Sequence, residues 1–216
     1  MIINCIADLH GYFPYLEGGD ILIIAGDCTS NDSVPAWNDF FNWLDKQKYR
    51  KRYLIAGNHD NFCRNFAISN DSINDSLGGR PSVSYLCDSG EEFCGLKIWG
   101  SPWTTKFVGI NPHCCAFTVD NDKELQEKYD LIPNDIDILI THNPPFGILD
   151  KTIHEKSVGS RFLLQKVLEI RPKLHVFGHI HEDHGHYSHK NEIDFINASH
   201  VNERYNPVNK PIRIVL

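Results

Sequence analysis

The sequence predicts an α/β fold in which a two-sheet β-sandwich of mixed strands is flanked by helices, within a single domain that spans residues 1–216. Two observations predict this fold. Short runs of β-branched and other apolar residues are typical of strands buried on both faces. They alternate with segments whose apolar residues recur every three or four positions, as in amphipathic helices. With 216 residues and 41% apolar side chains, the chain can form a substantial core and is too apolar to be disordered.

The N-terminal part of the chain predicts a parallel β-α-β unit. Its strands are residues 2–7, 20–25 and 53–56. Between residues 34 and 49, an amphipathic helix is expected to begin near Ser33 or Pro35. The apolar face of this helix consists of Trp37, Phe40, Phe41 and Leu44. Because strand, helix and strand follow in this order, we expect a right-handed crossover between parallel strands.

Two later helices are predicted from their capping residues, and each is followed by a strand. Asn121, with Glu124 three residues later, resembles a capping box for a helix that ends before Pro133. Ser160 can cap a second helix over residues 161–170. The strands that follow are residues 136–141 and 174–177.

Two other regions are predicted to pair in antiparallel fashion. Segments 83–87 and 96–99 are expected to form a local hairpin around the turn signal Asp88-Ser89-Gly90. In the C-terminal part, the candidate strands are residues 184–189, 192–197 and 212–216. These three are expected to form a second, more antiparallel sheet.

Charge, cysteine content and hydropathy exclude several classes of protein. A net charge of −7 argues against a basic groove for nucleic acid. The seven cysteines are odd in number and contain no Cys-x-x-Cys pair, so we expect neither a disulfide framework nor a thiolate zinc site, but a reduced, cytoplasmic protein. No apolar stretch approaches the roughly 18 residues of a membrane span. The N-terminus also lacks the basic leader of a signal peptide.

Polar clusters follow five of the predicted strands. The clusters are Asp8-Leu9-His10, Gly26-Asp27, Gly57-Asn58-His59-Asp60, His142 and Gly178-His179-Ile180-His181. Ligands of open α/β sheets bind at the carboxyl ends of strands, so these side chains are expected to meet at one edge. Residues i and i+2 of an extended segment project to the same side, which lets Asp8 with His10, and His179 with His181, contact neighbouring ions.

Seven of these side chains are candidate metal ligands. They are Asp8, His10, Asp27, Asn58, His142, His179 and His181. Seven ligands are too many for one ion, whereas two ions that share a bridging carboxylate would have four each. Oxygen and imidazole donors without a thiolate favour first-row metals over calcium or magnesium. We predict two divalent or trivalent ions, with manganese preferred and iron, zinc, cobalt or nickel as alternatives.

The order and spacing of the five clusters resemble the signature of the calcineurin-like metallophosphoesterases. That signature is Asp-x-His, Gly-Asp, Gly-Asn-His-(Glu/Asp), His and Gly-His-x-His. Three further stretches, 100–103, 137–145 and 197–199, are similar to the small single-domain branch of metallophosphoesterase-domain proteins. The resemblance covers nearly the whole chain and implies the calcineurin-like phosphoesterase fold and a metal-dependent phosphoric ester hydrolase.

The resemblance also implies a role for each site residue. One ion would be held by Asp8, His10, Asp27 and His181, and the second by Asp27, Asn58, His142 and His179. His59 lies at the position of a histidine that contacts phosphate and protonates the leaving oxygen, and Asp60 at the position that orients it. General chemistry is compatible with these roles, because two cations about 3.5–4 Å apart generate a bridging hydroxide that attacks phosphorus in line.

Features around the clusters narrow the substrate class. Residues 26–32 lack the Asp-Arg pair of the protein phosphatases of this family, and neither length nor charge leaves room for the DNA-binding cap of its nucleases. The favoured interpretation is a phosphodiesterase for cyclic nucleotides or similar small phosphodiesters, with neither long nucleic acid nor membrane as a partner. The alternatives are a phosphomonoesterase of small substrates and, in a different class, a catalytically silent interaction scaffold. The sequence leaves the oligomeric state open.

Some residues near the clusters are expected to have structural roles. Cys28 and Cys63 lie beside motif residues, but small buried apolar side chains are the better interpretation. Trp103, Phe146 and Tyr205 could stack a nucleobase, although aromatic side chains more often pack in the core or at its rim.

Overall fold

Two β-sheets pack face to face, and helices cover their outer sides. The structure is a computed structural model that describes residues 1–69, 80–106, 114–190 and 192–216. Apolar side chains of both sheets fill the layer between them, among them Ile3, Ile21, Ile23, Tyr53, Ile138, Ile140, Val176 and Ile196. The predicted α/β class, with two sheets of mixed strands flanked by helices, is therefore confirmed.

The first sheet is mainly parallel. Its described strands are β1 (Ile2–Ile6), β2 (Gly19–Ala25), β3 (Tyr49–Ile55), β4 (Val83–Tyr85) and β13 (Ile212–Val215). They lie in the order β13-β1-β2-β3-β4, with β13 antiparallel to β1 and the other pairs parallel. The parallel strands β1, β2 and β3 therefore end at one edge, and a polar cluster follows each of them.

The second sheet has a parallel centre and two antiparallel edges. Its described strands are β5 (Ser89–Phe93), β6 (Leu96–Ser101), β9 (Ile138–Thr141), β10 (Leu174–Phe177), β11 (Gly185–His189) and β12 (Ile193–Asn197). They lie in the order β11-β12-β10-β9-β6-β5. A short parallel pair, β7 (Thr104–Thr105) and β8 (Thr118–Val119), lies apart from both sheets. The other two polar clusters follow β9 and β10.

Three of the described helices begin at the capping residues that the sequence predicts. The helices are α1 (Val34–Asp45), α2 (Asn61–Ser69), α3 (Asp122–Tyr129) and α4 (Arg161–Ile170). The side chains of Ser33, Asn121 and Ser160 accept hydrogen bonds from the first turns of α1, α3 and α4. The sequence pattern does not predict α2, which follows Asp60 directly. None of the described helices is long and apolar enough to cross a membrane.

The predicted hairpin between 83–87 and 96–99 is wrong. Strand β4 pairs in parallel with β3 in the first sheet, whereas β5 and β6 form a hairpin in the second. The hairpin turns at Cys94-Gly95, where both residues are left-handed, with φ values of 52° and 79°. Two left-handed residues match the strand twist in a two-residue turn, so this pair turns the chain and Asp88-Ser89-Gly90 does not.

The predicted antiparallel C-terminal sheet is also wrong. The hairpin of β11 and β12 extends the second sheet, because β12 pairs in parallel with β10. Strand β13 instead pairs with β1 in the first sheet. Each sheet thus gains a C-terminal strand at an edge that would otherwise expose unpaired backbone groups.

The two sheets are joined at the end that carries the polar clusters. The Ala7 N–H donates to the Ala198 carbonyl and the His200 N–H donates to the Ala7 carbonyl, both at 2.8 Å. The chain that leaves β1 is therefore hydrogen-bonded to the chain that leaves β12. This backbone junction brings the strand ends of both sheets to one place.

Candidate metal centre

The polar clusters converge at the junction of the two sheets. Asp8 and His10 follow β1, Asp27 follows β2, Asn58, His59 and Asp60 follow β3, His142 follows β9, and His179 and His181 follow β10. Among the described residues, carboxylate and imidazole ligand atoms within 4.8 Å of one another form three overlapping triads. The triads are Asp8 with His10 and His181, His10 with Asp27 and His59, and Asp8 with Asp27 and His142.

The backbone is left-handed at four of the predicted ligands. The φ values are 49° at Asp8, 43° at His10, 54° at Asp27 and 72° at His179. Few residues other than glycine adopt this region, and Asn, Asp and His are the most tolerant of it. Such conformations cluster at functional sites, where the surrounding structure holds them. Here they turn each chain sharply as it leaves its strand.

Two glycines allow the loops to approach the carboxylates. A Cβ atom at Gly57 would collide with Asp27 Oδ1, and one at Gly178 would collide with Asp8 Oδ2. The sequence places these glycines directly before Asn58 and His179. A side chain at either position would displace a carboxylate, which explains the glycine in each cluster.

Each central carboxylate is held by one oxygen and presents the other to the centre. Asp8 Oδ2 accepts hydrogen bonds from Ser199 Oγ at 2.6 Å and from the His179 N–H at 2.9 Å. Asp8 Oδ1 is buried without a hydrogen-bond partner, and His181 Nε2 lies 3.4 Å from it. A buried carboxylate oxygen without a partner is costly unless a cation binds it, so this atom fits a metal ligand.

Asp27 lies between the two sets of ligands. Its Oδ1 accepts a hydrogen bond from the His59 N–H at 2.9 Å. Its Oδ2 faces three imidazole nitrogens, with His142 Nε2 at 3.4 Å and the Nε2 atoms of His10 and His59 at 3.8 Å. One oxygen of Asp27 is therefore within reach of both sides of the centre.

The histidine rings fall into two groups. His10 Nε2 and His181 Nε2 face each other at 3.4 Å. On the other side, His142 Nε2 lies 3.0 Å from Asn58 Oδ1, and the ring centroids of His142 and His179 are 4.8 Å apart. His142 Nδ1 lies 2.9 Å from the Ala25 carbonyl oxygen, which can only accept, so this nitrogen carries a proton and the lone pair of the neutral ring is on Nε2. Oxygen and imidazole donors in this arrangement fit first-row metal ions.

The histidines at the centre differ in pKa, because burial lowers the pKa and nearby carboxylates raise it. Burial lowers the pKa of His142, but the Asp27 carboxylate outweighs it and raises this pKa to about 9. The pKa of His181 is also raised, because nearby carboxylates outweigh burial. Burial prevails at His10 and His179 and lowers their pKa values to about 4 and about 3. Without a metal ion, the raised pKa values of His142 and His181 favour protonated rings beside the carboxylates.

Metal affinity is expected to rise with pH up to about 9. Coordination requires neutral imidazole, so below the raised pKa of His142 an ion must displace a proton. Each displaced proton makes affinity rise about tenfold per pH unit below that pKa and level off above it. Titration calorimetry with Mn²⁺ at several pH values, in two buffers of different ionisation enthalpy, measures both the affinity and the protons released. An affinity that does not depend on pH would contradict these protonation states.

The resemblance implies that Asp60 orients His59, whereas the structure shows the Asp60 side chain bonded to backbone amides. Its buried carboxylate accepts hydrogen bonds from three backbone N–H groups, those of Asp27 (2.8 Å), Gly57 (2.8 Å) and Cys28 (3.1 Å). Burial and the Asp27 charge raise the pKa of Asp60, and the amide donors act in the opposite direction. His59 Nδ1 faces Cys114 Sγ at 3.2 Å. Asp60 thus joins the loops after β2 and β3, and a thiol lies beside the His59 ring.

Among the described residues, some that lie at the centre are outside the predicted site. These include Thr104, Cys114, Ser199 and Tyr205. Ser199 follows β12, so the strand-end rule that selects the other clusters would also have selected it. Tyr205 packs edge-on against His10 and His181, with ring centroids 4.8 and 5.2 Å apart. Its loop has no periodic pattern, and the sequence favours a packing role for it.

Comparisons with known proteins agree with the geometry. The sequence profile of the family described as calcineurin-like phosphoesterase matches residues 1–183. The human protein named metallophosphoesterase domain-containing protein 1 is 37% identical over 238 aligned positions, which cover 98% of this chain and 70% of that protein. The Caenorhabditis elegans protein named UPF0046 protein T07D4.2 is 33% identical over 235 positions, covering 96% of this chain and 58% of that protein. The solved structure of TT1561 from Thermus thermophilus has the same fold, with a TM-score of 0.62 at 15% identity over 91% of this chain and 88% of that one.

The profile match covers most of the chain, and the human relative aligns with nearly all of it. The strand-end aspartates and histidines that carry the family signature lie together at the junction of the sheets, with His179 beside His142. This chain belongs to the calcineurin-like phosphoesterases, a family of metal-dependent phosphoester hydrolases.

Proposed function

We propose that this chain is a dinuclear metal-dependent phosphodiesterase that hydrolyses cyclic nucleotides or similar small phosphodiesters. The observation that carries the proposal is the position of Asp27 Oδ2, which faces His142 Nε2 on one side and His10 Nε2 on the other. A carboxylate shared in this way lets the seven predicted ligands supply four to each of two ions. Asp8, His10, Asp27 and His181 would hold one ion, and Asp27, Asn58, His142 and His179 the other. The donor set fits first-row metals, and among these we propose manganese, with iron, zinc, cobalt or nickel as alternatives.

His59 is the proposed general acid. When bound, two ions activate water and neutralise the non-bridging oxygens of the phosphate. His59 belongs to neither ligand set, and its side chain is 22% exposed. Its Nδ1 faces Cys114, whereas its Nε2 lies toward Asp27 at 3.8 Å. From this position the ring can donate a proton to a leaving oxygen at the centre.

A cavity beside the centre has room for an organic group, which supports a substrate that carries a small organic group on its phosphate. Its volume is about 780 Å³, and His10 and His59 line it together with Tyr12, Ser30, Asn31 and Tyr205. No lysine or arginine is among the described residues that line it. The carboxylate of Asp32, also in the lining, accepts hydrogen bonds from Trp37 Nε1 and the Phe62 N–H. Hydroxyl, amide and aromatic groups suit an uncharged, hydroxylated ring such as a nucleoside. These side chains supply no positive charge for further phosphates along a nucleic acid.

Replacing Tyr205 with alanine is expected to lower kcat/KM selectively for nucleoside diesters, by about 10- to 100-fold, since stacking on an aromatic ring contributes about 1–3 kcal/mol per base. Tyr205 is 44% exposed and packs against His10, so one part of its ring remains open to the cavity. Thymidine 5′-(p-nitrophenyl phosphate) and methyl p-nitrophenyl phosphate share a leaving group and provide the comparison. Tyr205→Phe keeps the ring and is the matched control. Equal losses with both esters would contradict a stacking role.

A substrate panel with Mn²⁺-loaded protein tests the proposed function. Bis-(p-nitrophenyl) phosphate is expected to turn over faster than p-nitrophenyl phosphate, and 2′,3′- and 3′,5′-cyclic nucleotides then identify the preferred diester. Preference for the monoester would support the phosphomonoesterase alternative. Protein without metal, or with two ions and no turnover of any phosphoester, would favour the interaction scaffold.

A further inference from the structure

A buried chain of hydrogen bonds runs from the Trp103 carbonyl to the ring of His179. Tyr129 Oη donates to the Trp103 carbonyl at 3.0 Å, and Asn143 Nδ2 donates to Tyr129 Oη at 3.2 Å. Thr104 Oγ1 lies 3.2 Å from Asn143 Oδ1 and 3.3 Å from His179 Nε2. Thr104, Tyr129 and Asn143 are at most 3% exposed. We call these four residues, Trp103, Thr104, Tyr129 and Asn143, the Thr104 relay.

The carbonyl at the far end of the relay fixes the position of each proton. A carbonyl oxygen only accepts, so the single phenolic proton of Tyr129 is used there and Tyr129 Oη accepts from the Asn143 amide. Asn143 must therefore present Oδ1 to Thr104. Thr104 has one hydroxyl proton, which it donates to that Oδ1. Thr104 Oγ1 can then only accept from His179, so the His179 proton lies on Nε2.

The same relay is anchored to the segment that carries His142. Thr141 Oγ1 donates to the Asn143 carbonyl at 2.7 Å and lies 2.8 Å from His175 Nε2. Asn143 is thus held through both its side chain and its backbone. Because Asn143 follows His142 directly, one rigid polar anchor supports both histidines on this side of the centre.

We propose that Thr104 is a positioning residue for the second metal ion, because it holds His179 with its proton on Nε2 and its lone pair on Nδ1. His142 has the opposite arrangement, since its Nδ1 proton is directed to the Ala25 carbonyl. Hydrogen bonds to the second ring nitrogen set the tautomer and orientation of metal-binding histidines. The inference rests on the proposed function, in which both histidines bind the same ion.

Mn²⁺ binding to Thr104→Val tests the relay. Valine keeps the shape of threonine but neither accepts from His179 nor donates to Asn143. We expect the affinity for one of two Mn²⁺ ions to fall about 10- to 100-fold, with the other unchanged. Thr104→Ser, which retains the hydroxyl, is expected to restore binding, and Thr105→Val in the same strand is the matched control. Titration calorimetry measures both affinities.

The outcomes separate this inference from the proposed function. Wild-type protein that binds no Mn²⁺ would overturn both. Two ions in the wild type, with Thr104→Val binding both as tightly or losing both to the same extent, would overturn the relay alone.

A spectroscopic measurement on the wild type does not depend on the folding of a variant. Long-range ¹H–¹⁵N correlation spectra of Zn²⁺-loaded, ¹⁵N-histidine-labelled protein report which ring nitrogen carries the proton. His179, assigned by comparison with His179→Gln, is expected to be protonated on Nε2 and to bind zinc through Nδ1. A proton on Nδ1 would overturn the inference.

Discussion

Asp27→Asn is expected to lose both metal ions and to lower kcat/KM for phosphodiesters at least about 1000-fold, which corresponds to roughly 4 kcal/mol. The oxygen that would be shared between the ions is Asp27 Oδ2, and an amide is a much weaker ligand than a carboxylate. Asparagine is the right replacement because Asp27 has a φ of 54°, which asparagine tolerates better than alanine does. Its side-chain oxygen can still accept from the His59 N–H.

Metal analysis and thermal unfolding measure the effect of Asp27→Asn. Mn²⁺ is expected to raise the stability of the wild-type protein, because it binds the native state. The stability of the variant is expected to be the same with and without Mn²⁺. Asp39→Asn, at an exposed position on α1, is the matched control and is expected to behave as wild type. A variant that retains one tightly bound ion would show that Asp27 is not a shared ligand.

His59→Ala is expected to keep both ions and to lose rate in proportion to the basicity of the leaving group. General acids contribute about 100- to 10,000-fold, and an alkoxide needs the proton whereas p-nitrophenolate does not. We therefore expect a loss of this size with alkyl esters and a much smaller loss with nitrophenyl esters. A plot of the logarithm of the rate against the pKa of the leaving group measures the effect. Its slope is compared between the wild type and the variant.

His154→Ala is the matched control for His59→Ala, because His154 is exposed and lies outside the site. It is expected to leave rate and slope unchanged. If His59→Ala lost rate equally with alkyl and nitrophenyl esters, or lost metal, His59 would not be the acid.

Local sequence patterns predict the strands and helices that position the centre. A buried parallel strand is an unbroken apolar run, and a capped helix has its polar residue at a fixed offset, so β2, α1 and α4 can be located from short windows. The polar groups at the centre follow such strands directly. Asp8 and Asp27 can therefore be placed at one edge because parallel strands of one sheet end together. His142 follows β9 of the second sheet, and it meets them only because the two sheets are joined at this end.

Short sequence windows do not show which strands pair with each other when the strands are far apart in the chain. Strand β13 could pair with any exposed edge, and its pairing with β1 depends on which sheet lacks a neighbour. The hairpin of β5 and β6 depends on Cys94 adopting a left-handed conformation that its residue type disfavours. Tyr205 and Cys114 reach the centre through irregular loops, where side-chain spacing has no period.

X-ray diffraction at the manganese absorption edge, from crystals grown with Mn²⁺, is the most direct test of a dinuclear centre bridged by Asp27. Two anomalous peaks are predicted about 3.5–4 Å apart. One is expected beside Asp8, His10 and His181, and the other beside Asn58, His142 and His179, with the Asp27 carboxylate between them. A single peak, or peaks away from Asp27, would contradict the proposed centre.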